Sequence, residues 1–141
     1  MPQVRILVCD DDAHILHVVA TKLRNGGFEV ITAADGEEAW EAIVDNAPQL
    51  IITDYQMPGL SGLEICAKLR AHPELRQVPV ILLTARGYTL DDAKLRESKI
   101  SGVMVKPFSP RDLLRNVREI LDGSKAPSPQ TMAVASGPVQ K

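Results

Sequence analysis

Val4-Arg5-Ile6-Leu7-Val8-Cys9 runs apolar, Arg5 excepted, straight into three consecutive acids, Asp10-Asp11-Asp12. Like charges crowded at the end of a strand cost free energy unless a cation or a proton relieves them. The cluster therefore predicts a cation site. The pattern then recurs: Leu50-Ile51-Ile52-Thr53 leads into Asp54, Val80-Ile81-Leu82-Leu83 into Thr84, and Val103-Met104-Val105 into Lys106. Four strand-like runs each end in a side chain able to handle an anion or a metal.

Between these runs the apolar period becomes helical. Ala13 to Asn25 carries Ile15, Leu16, Val19 and Leu23 on one face and stops at Gly26-Gly27. Phe28 to Ala33 reads as a second strand. Asp35-Gly36-Glu37-Glu38 resembles a capping box. The helix it opens is expected to bury Ala39, Trp40, Ile43, Val44 and Ala47 before Pro48 ends it. Ser61-Gly62-Leu63-Glu64 opens another helix, through Cys66, Ala67 and Leu69-Arg70. A shorter one is expected over Leu90 to Ser98. Ser109-Pro110 supplies an N-cap and a first-turn proline for a last helix with Leu113, Leu114, Val117, Ile120 and Leu121 inward and Gly123 after it.

The runs over Leu50–Thr53, Val78–Leu83 and Gly102–Val105 lack polar alternation, the mark of strands buried on both faces of a parallel sheet. Five β/α units predict a doubly wound α/β domain. In such sheets ligands bind beyond the carboxyl ends of the strands, so Asp10, Asp11, Asp54, Thr84 and Lys106 should share one edge.

Length fits one domain over residues 1–122. Residues 123–141 mix Pro127, Pro129 and Pro138 with Ser, Ala, Gln and Gly, keep no periodic apolar face, and read as a disordered tail or linker. Sixteen Lys and Arg against eighteen Asp and Glu leave a net charge of −2. That balance lacks the basic surplus of a direct nucleic-acid partner. Cys9 and Cys66 lie in apolar settings without metal spacing and read as buried free thiols. No signal peptide is legible and no apolar run approaches a membrane span. The expected address is the cytoplasm.

Asp10, Asp11 and Asp54 offer hard oxygen ligands for Mg²⁺, which takes one or two carboxylates beside phosphate oxygens. A lysine and a hydroxyl can stabilise a transferring phosphoryl group. One carboxylate can itself be the nucleophile, giving an aspartyl phosphate. Taken singly, Asp12 is a helix cap, Lys106 a surface lysine and Thr84 a strand-end hydroxyl. Their joint placement at matching strand ends is what points to phosphoryl chemistry. His14, His17 and His72 share no ligand spacing, Trp40 suits core packing, and no Gly-rich phosphate loop is visible.

Leu7-Val8-Cys9-Asp10-Asp11-Asp12, Ile52-Thr53-Asp54-Tyr55-Gln56-Met57-Pro58-Gly59-Leu60-Ser61-Gly62-Leu63-Glu64, Pro79-Val80-Ile81-Leu82-Leu83-Thr84-Ala85 and Val105-Lys106-Pro107-Phe108 together resemble the receiver domain of bacterial two-component response regulators. Order and spacing match from Val4 to Asp122. The resemblance implies a five-stranded, flavodoxin-like (βα)5 sheet of order 2-1-3-4-5. It implies Asp54 as phospho-acceptor and Mg²⁺, with Mn²⁺ as a substitute, on Asp10, Asp11, Asp54 and the Gln56 carbonyl. Lys106 would pair with the phosphoryl group, Thr84 would report phosphorylation, and the Lys106–Pro107 bond would be cis. The implied donor is a histidine kinase or histidine phosphotransfer protein. The implied output is contact with a downstream protein by a stand-alone receiver, a monomer or weak homodimer. Such a chain is no enzyme beyond its own phosphorylation and dephosphorylation. Val103 stands where the family usually has Tyr or Phe, with Tyr88 a nearby aromatic as a possible substitute. Gln56 and Arg86 fall where the family tunes dephosphorylation. The alternative is a phosphorylation-silent receiver used as a scaffold. A phosphohydrolase fits less well, because the family in question puts its nucleophile on the first strand and adds a cap domain.

Overall fold

A computed structural model of the chain describes residues 3–85, 93, 96 and 99–122. The elements are β1 (Arg5–Cys9), α1 (Ala13–Asn25), β2 (Glu29–Ala33), α2 (Gly36–Asn46), β3 (Leu50–Asp54), α3 (Gly62–Ala71), β4 (Val80–Thr84), β5 (Gly102–Val105) and α4 (Pro110–Asp122). The helix expected over Leu90–Ser98 falls almost wholly outside the described residues, as do Arg86, Tyr88 and residues 123–141.

All five strands are parallel, in the order β2-β1-β3-β4-β5. This is the doubly wound arrangement that the apolar runs and the resemblance led us to expect. Strand alternation divides the core into two layers. Leu7, Cys9, Ile51 and Leu82 point to one face, where Ala39, Ile43, Ile65, Cys66 and Leu69 of α2 and α3 cover them. Ile6, Val8, Leu50, Ile52, Ile81 and Leu83 point to the other, beneath Val19 and Leu23 of α1 and Leu113 and Val117 of α4. Both faces are thus closed, so β3 and β4 are buried along their whole length. β4 begins at Val80, two residues later than the apolar run suggests. Pro79 has no N–H to give a ladder, although its carbonyl still accepts from Ile51 N–H at 3.0 Å.

The helix starts follow their capping residues. The Asp12 carboxylate accepts from the N–H groups of His14 and Ile15. Asp35 accepts from Glu38 N–H, and Glu38 in turn accepts from Ala34 N–H. Ser61 and Glu64 form a reciprocal capping box, and Ser109 Oγ accepts from Asp112 N–H. Asp12→Ala is expected to cost about 1 kcal/mol, read as a lower urea midpoint with an unchanged slope; no change would mean that Asp12 does not cap α1 in solution.

One expectation for α2 is corrected. Val44 is 52% exposed and Ala47 is exposed too. Each helical step turns about 100°, so Val44 rotates off the face that Ile43 occupies. Ala47 leaves the spiral altogether, taking a left-handed conformation at φ 48°. Ala42 and the half-buried Trp40 complete the inward face instead. Lys68 of α3 lies 4.9 Å from the Trp40 ring centre. Cys9 and Cys66 are buried free thiols. Burial pushes the Cys66 thiol up to about 12 and Cys9 higher still.

Candidate functional site

β1 and β3 are adjacent, in a register that pairs Cys9 with Thr53. The next residue of each chain, Asp10 and Asp54, therefore emerges side by side. The order makes this pair the topological switch point of the sheet. β1 connects outward to β2 on one side and β3 to β4 on the other, the place where such sheets bind ligands. Asp10 is fully buried and accepts from Asp12 N–H at 2.9 Å, while Asp11 is exposed. One carboxylate oxygen from each of Asp10, Asp11 and Asp54 lies within 4.8 Å of the others. Three hard oxygens gathered this closely are a donor set of the kind that holds a divalent cation such as Mg²⁺ once they draw in around it.

Lys106 follows β5, two strands from β3, and its long side chain reaches back across the sheet edge. Its Nζ is 2.8 Å from Asp10 Oδ2 and 3.3 Å from Asp54 Oδ2. The Asp10 approach is an ion pair poorly directed for hydrogen bonding. Burial pushes the Asp54 carboxyl up from its ordinary value, helped by the negative charge of Asp10. Lys106 opposes the rise without cancelling it. For Lys106 itself, burial favours the neutral amine, but Asp10 and then Asp54 outweigh it and the net direction is upward. The lysine is a built-in counter-ion for two crowded carboxylates.

Thr84 ends β4 beside Val105, and its carbonyl accepts from Lys106 N–H at 2.7 Å. The Thr84 hydroxyl is buried and has no hydrogen-bond partner among the described residues. A buried unpaired hydroxyl is costly and is tolerated most readily where a ligand oxygen completes it. The Lys106–Pro107 peptide is cis. Gln56 is exposed, two residues past Asp54 in the 55–61 loop. Val103 is 3% exposed, packed in the core layer shared with α2 and α3.

Two glycines shape this loop, and both read from the sequence only as members of capping motifs. Gly62 N–H donates to Tyr55 carbonyl at 2.9 Å. A Cβ there would stand 2.7 Å from the Asp54 carbonyl oxygen and 2.8 Å from Leu82 Cδ2. Gly36 N–H donates to Pro58 carbonyl at 3.0 Å, and a Cβ there would overlap the Leu60 backbone. A glycine directly after an N-cap was the available signal, but only contact with a loop distant in sequence gives it meaning.

Among the described residues no helix is long and apolar enough to cross a membrane. Comparison with known proteins agrees with this geometry. The family model of the response regulator receiver domain matches residues 6–118. The alkaline phosphatase synthesis transcriptional regulatory protein PhoP of Bacillus subtilis is 36% identical over 127 residues, 90% of this chain and 52% of that protein. The DNA-binding response regulator MtrA of Mycolicibacterium paratuberculosis is 37% identical over 114 residues, 81% of this chain and 49% of that protein. The chain thus spans about half the length of these relatives. The chemotaxis response regulator CheY4 of Vibrio cholerae superposes with a TM-score of 0.77 at 28% identity, covering 84% of this chain and 99% of that one. A response regulator receiver domain protein of Clostridium thermocellum gives 0.75 at 30% identity, covering 86% and 96%. A sheet whose edge gathers the carboxylates, the lysine and the threonine at the ends expected of them, matched over nearly its whole length, belongs to the receiver-domain family of two-component response regulators.

Proposed function

We propose that Asp54 takes a phosphoryl group from a phosphohistidine on a histidine kinase or histidine phosphotransfer protein. A carboxylate oxygen of Asp54 attacks phosphorus as the phosphorus–nitrogen bond breaks. The bonding pair leaves with the imidazole nitrogen of the donor. Asp10, Asp11, Asp54 and the Gln56 carbonyl would hold Mg²⁺, which when bound supplies positive charge to the phosphoryl oxygens. Lys106 exchanges part of its pairing with Asp10 and Asp54 for a phosphoryl oxygen. The Thr84 hydroxyl donates to another, which satisfies the group that is otherwise buried and unpaired. Burial and the Asp10 charge disfavour the charged form of Asp54, which supports a role for cations beside this oxygen.

The single observation that carries the reading is the close triangle of Asp10, Asp11 and Asp54 with Lys106 Nζ on two of its corners. Phosphorylation would shift the population between two close conformations, read out by contact with a downstream protein. The silent-scaffold alternative leaves this set of residues without a purpose. The test is intact-protein mass spectrometry after brief incubation with Mg²⁺ and acetyl phosphate, beside Asp54→Asn. One phosphoryl group gained by the wild type alone supports the assignment. Labelling that persists in the variant would move the acceptor elsewhere, and a folded wild type that stays unlabelled with acetyl phosphate and with candidate kinases would favour the scaffold.

A further inference from the structure

We propose that Gly36, at the first position of α2, is a positioning residue for the loop that completes the cation site. The inference rests on the functional reading above, because it takes the 55–61 loop to supply a ligand. That loop leaves β3 directly after Asp54 and is tethered at its start, middle and end. At its start Tyr55 N–H donates to Leu83 carbonyl of β4 at 2.7 Å. At its end Gly62 folds back on Tyr55 and Asp54 without room for a side chain. In the middle Gly36 N–H of α2 donates to Pro58 carbonyl at 3.0 Å.

The middle contact depends on the missing side chain. A Cβ on Gly36 would stand 2.6 Å from Leu60 Cα and overlap the amide nitrogen and carbonyl oxygen of the same residue. The obstacle is backbone, so no side-chain rotation relieves it. Gly59 in the loop has φ 83°, a left-handed value that favours glycine, and the Cβ it lacks would lie 3.5 Å from Glu37 N. The close approach of the two backbones therefore depends on Gly36, while Gly59 supplies the left-handed turn of the loop beside it. The turn itself is fixed by the Asp35 cap and by burial of Gly36, Ala39 and Ile43. A methyl group at Gly36 must push the loop outward, because the helix has nowhere to go. Gln56 sits two residues before Pro58 and moves with it.

The test compares Gly36→Ala with Gly27→Ala. Gly27 has φ 98°, and a Cβ there meets nothing within 4 Å. Its substitution strains the backbone remote from the loop and serves as a measure of general destabilisation. Mg²⁺ affinity is measured calorimetrically on each folded full-length protein, together with the thermal midpoint and the Mg²⁺ concentration for half-maximal labelling by acetyl phosphate. We expect Gly36→Ala to bind Mg²⁺ about tenfold more weakly, the usual scale for losing a group that orients a ligand. Half-maximal labelling should shift by the same factor, with the rate at saturating Mg²⁺ largely recovered. Gly27→Ala should lower the midpoint and leave Mg²⁺ affinity within about twofold. Unchanged affinity in a folded Gly36→Ala, or an equal loss in Gly27→Ala, overturns the assignment. If Gly36→Ala does not fold, amide hydrogen exchange on the wild type decides: Mg²⁺ should slow exchange at Gly36 N–H, and no change there would refute the coupling. A wild type that never labels, yet loses Mg²⁺ affinity in Gly36→Ala, would reject the phospho-acceptor reading and keep this one.

Discussion

Asp54→Asn is expected to abolish phosphoryl uptake and to raise the thermal midpoint of the metal-free protein. The two effects share a cause. Burial and the neighbouring Asp10 charge push the Asp54 carboxyl up from its ordinary value, and Lys106 does not fully compensate. An acid with a raised folded-state pKa contributes its greatest stability below its unfolded value, near pH 4. That contribution is lost as pH rises towards the folded value. Wherever the Asp54 carboxylate is ionised the wild type carries this penalty, and the neutral amide carries none. Relief of about 1 kcal/mol would raise the midpoint by roughly 3–6 °C in a domain of this size. The gap between the two proteins should narrow as the pH falls towards 4 and the wild-type carboxyl takes up its proton. On the proposed assignment of the cation site, saturating Mg²⁺ should narrow it as well, because the cation would bind the folded wild type more tightly than the variant. Scanning calorimetry at pH 7 and near pH 4, with and without Mg²⁺, checks each point. A variant less stable than wild type at pH 7 would show that the Lys106 contact outweighs the crowding.

Lys106→Met should do the reverse. It keeps the apolar stem and removes the cation 2.8 Å from a fully buried Asp10 carboxylate. Removing one partner of a buried pair leaves an uncompensated charge, and the cost here should be about 2–4 kcal/mol. Against a typical total of roughly 5–15 kcal/mol, that loss is large. Urea unfolding at pH 7 measures it. Mg²⁺ should recover much of the loss, since in the proposed site the cation would meet the same carboxylates. A loss under about 1 kcal/mol, or one that Mg²⁺ does not reduce, would place the lysine outside the charge balance of the site.

The contrast between these variants explains why so much of the site was legible in the sequence. Asp10, Asp54, Thr84 and Lys106 are polar residues at the ends of apolar runs, and a parallel sheet brings such ends to one edge whatever the loops do. Strands β3 and β4 were equally plain, because burial on both faces leaves an unbroken apolar run. Three matters were less visible. The limits of β4 depended on the missing N–H of Pro79. The exposure of Val44 depended on a single 100° step around α2. The role of Gly36 depended on contact with Leu60, 24 residues away, and no local pattern reports a contact of that kind. The order of the strands came from likeness to a family, since apolar periodicity identifies strands without saying which ones are neighbours.

The two buried sulfurs give the fold an internal clock. The thiolate is the species that alkylating reagents attack, and Cys9 and Cys66 are both enclosed and held protonated in the native state. They lie in the layer between the sheet and the α2–α3 face, so reagent reaches them only when that layer comes apart. The pace of alkylation under native conditions therefore counts the opening of this half of the molecule. No dye or engineered probe is needed to compare how often it opens in the protein alone, with Mg²⁺ added, or after treatment with acetyl phosphate.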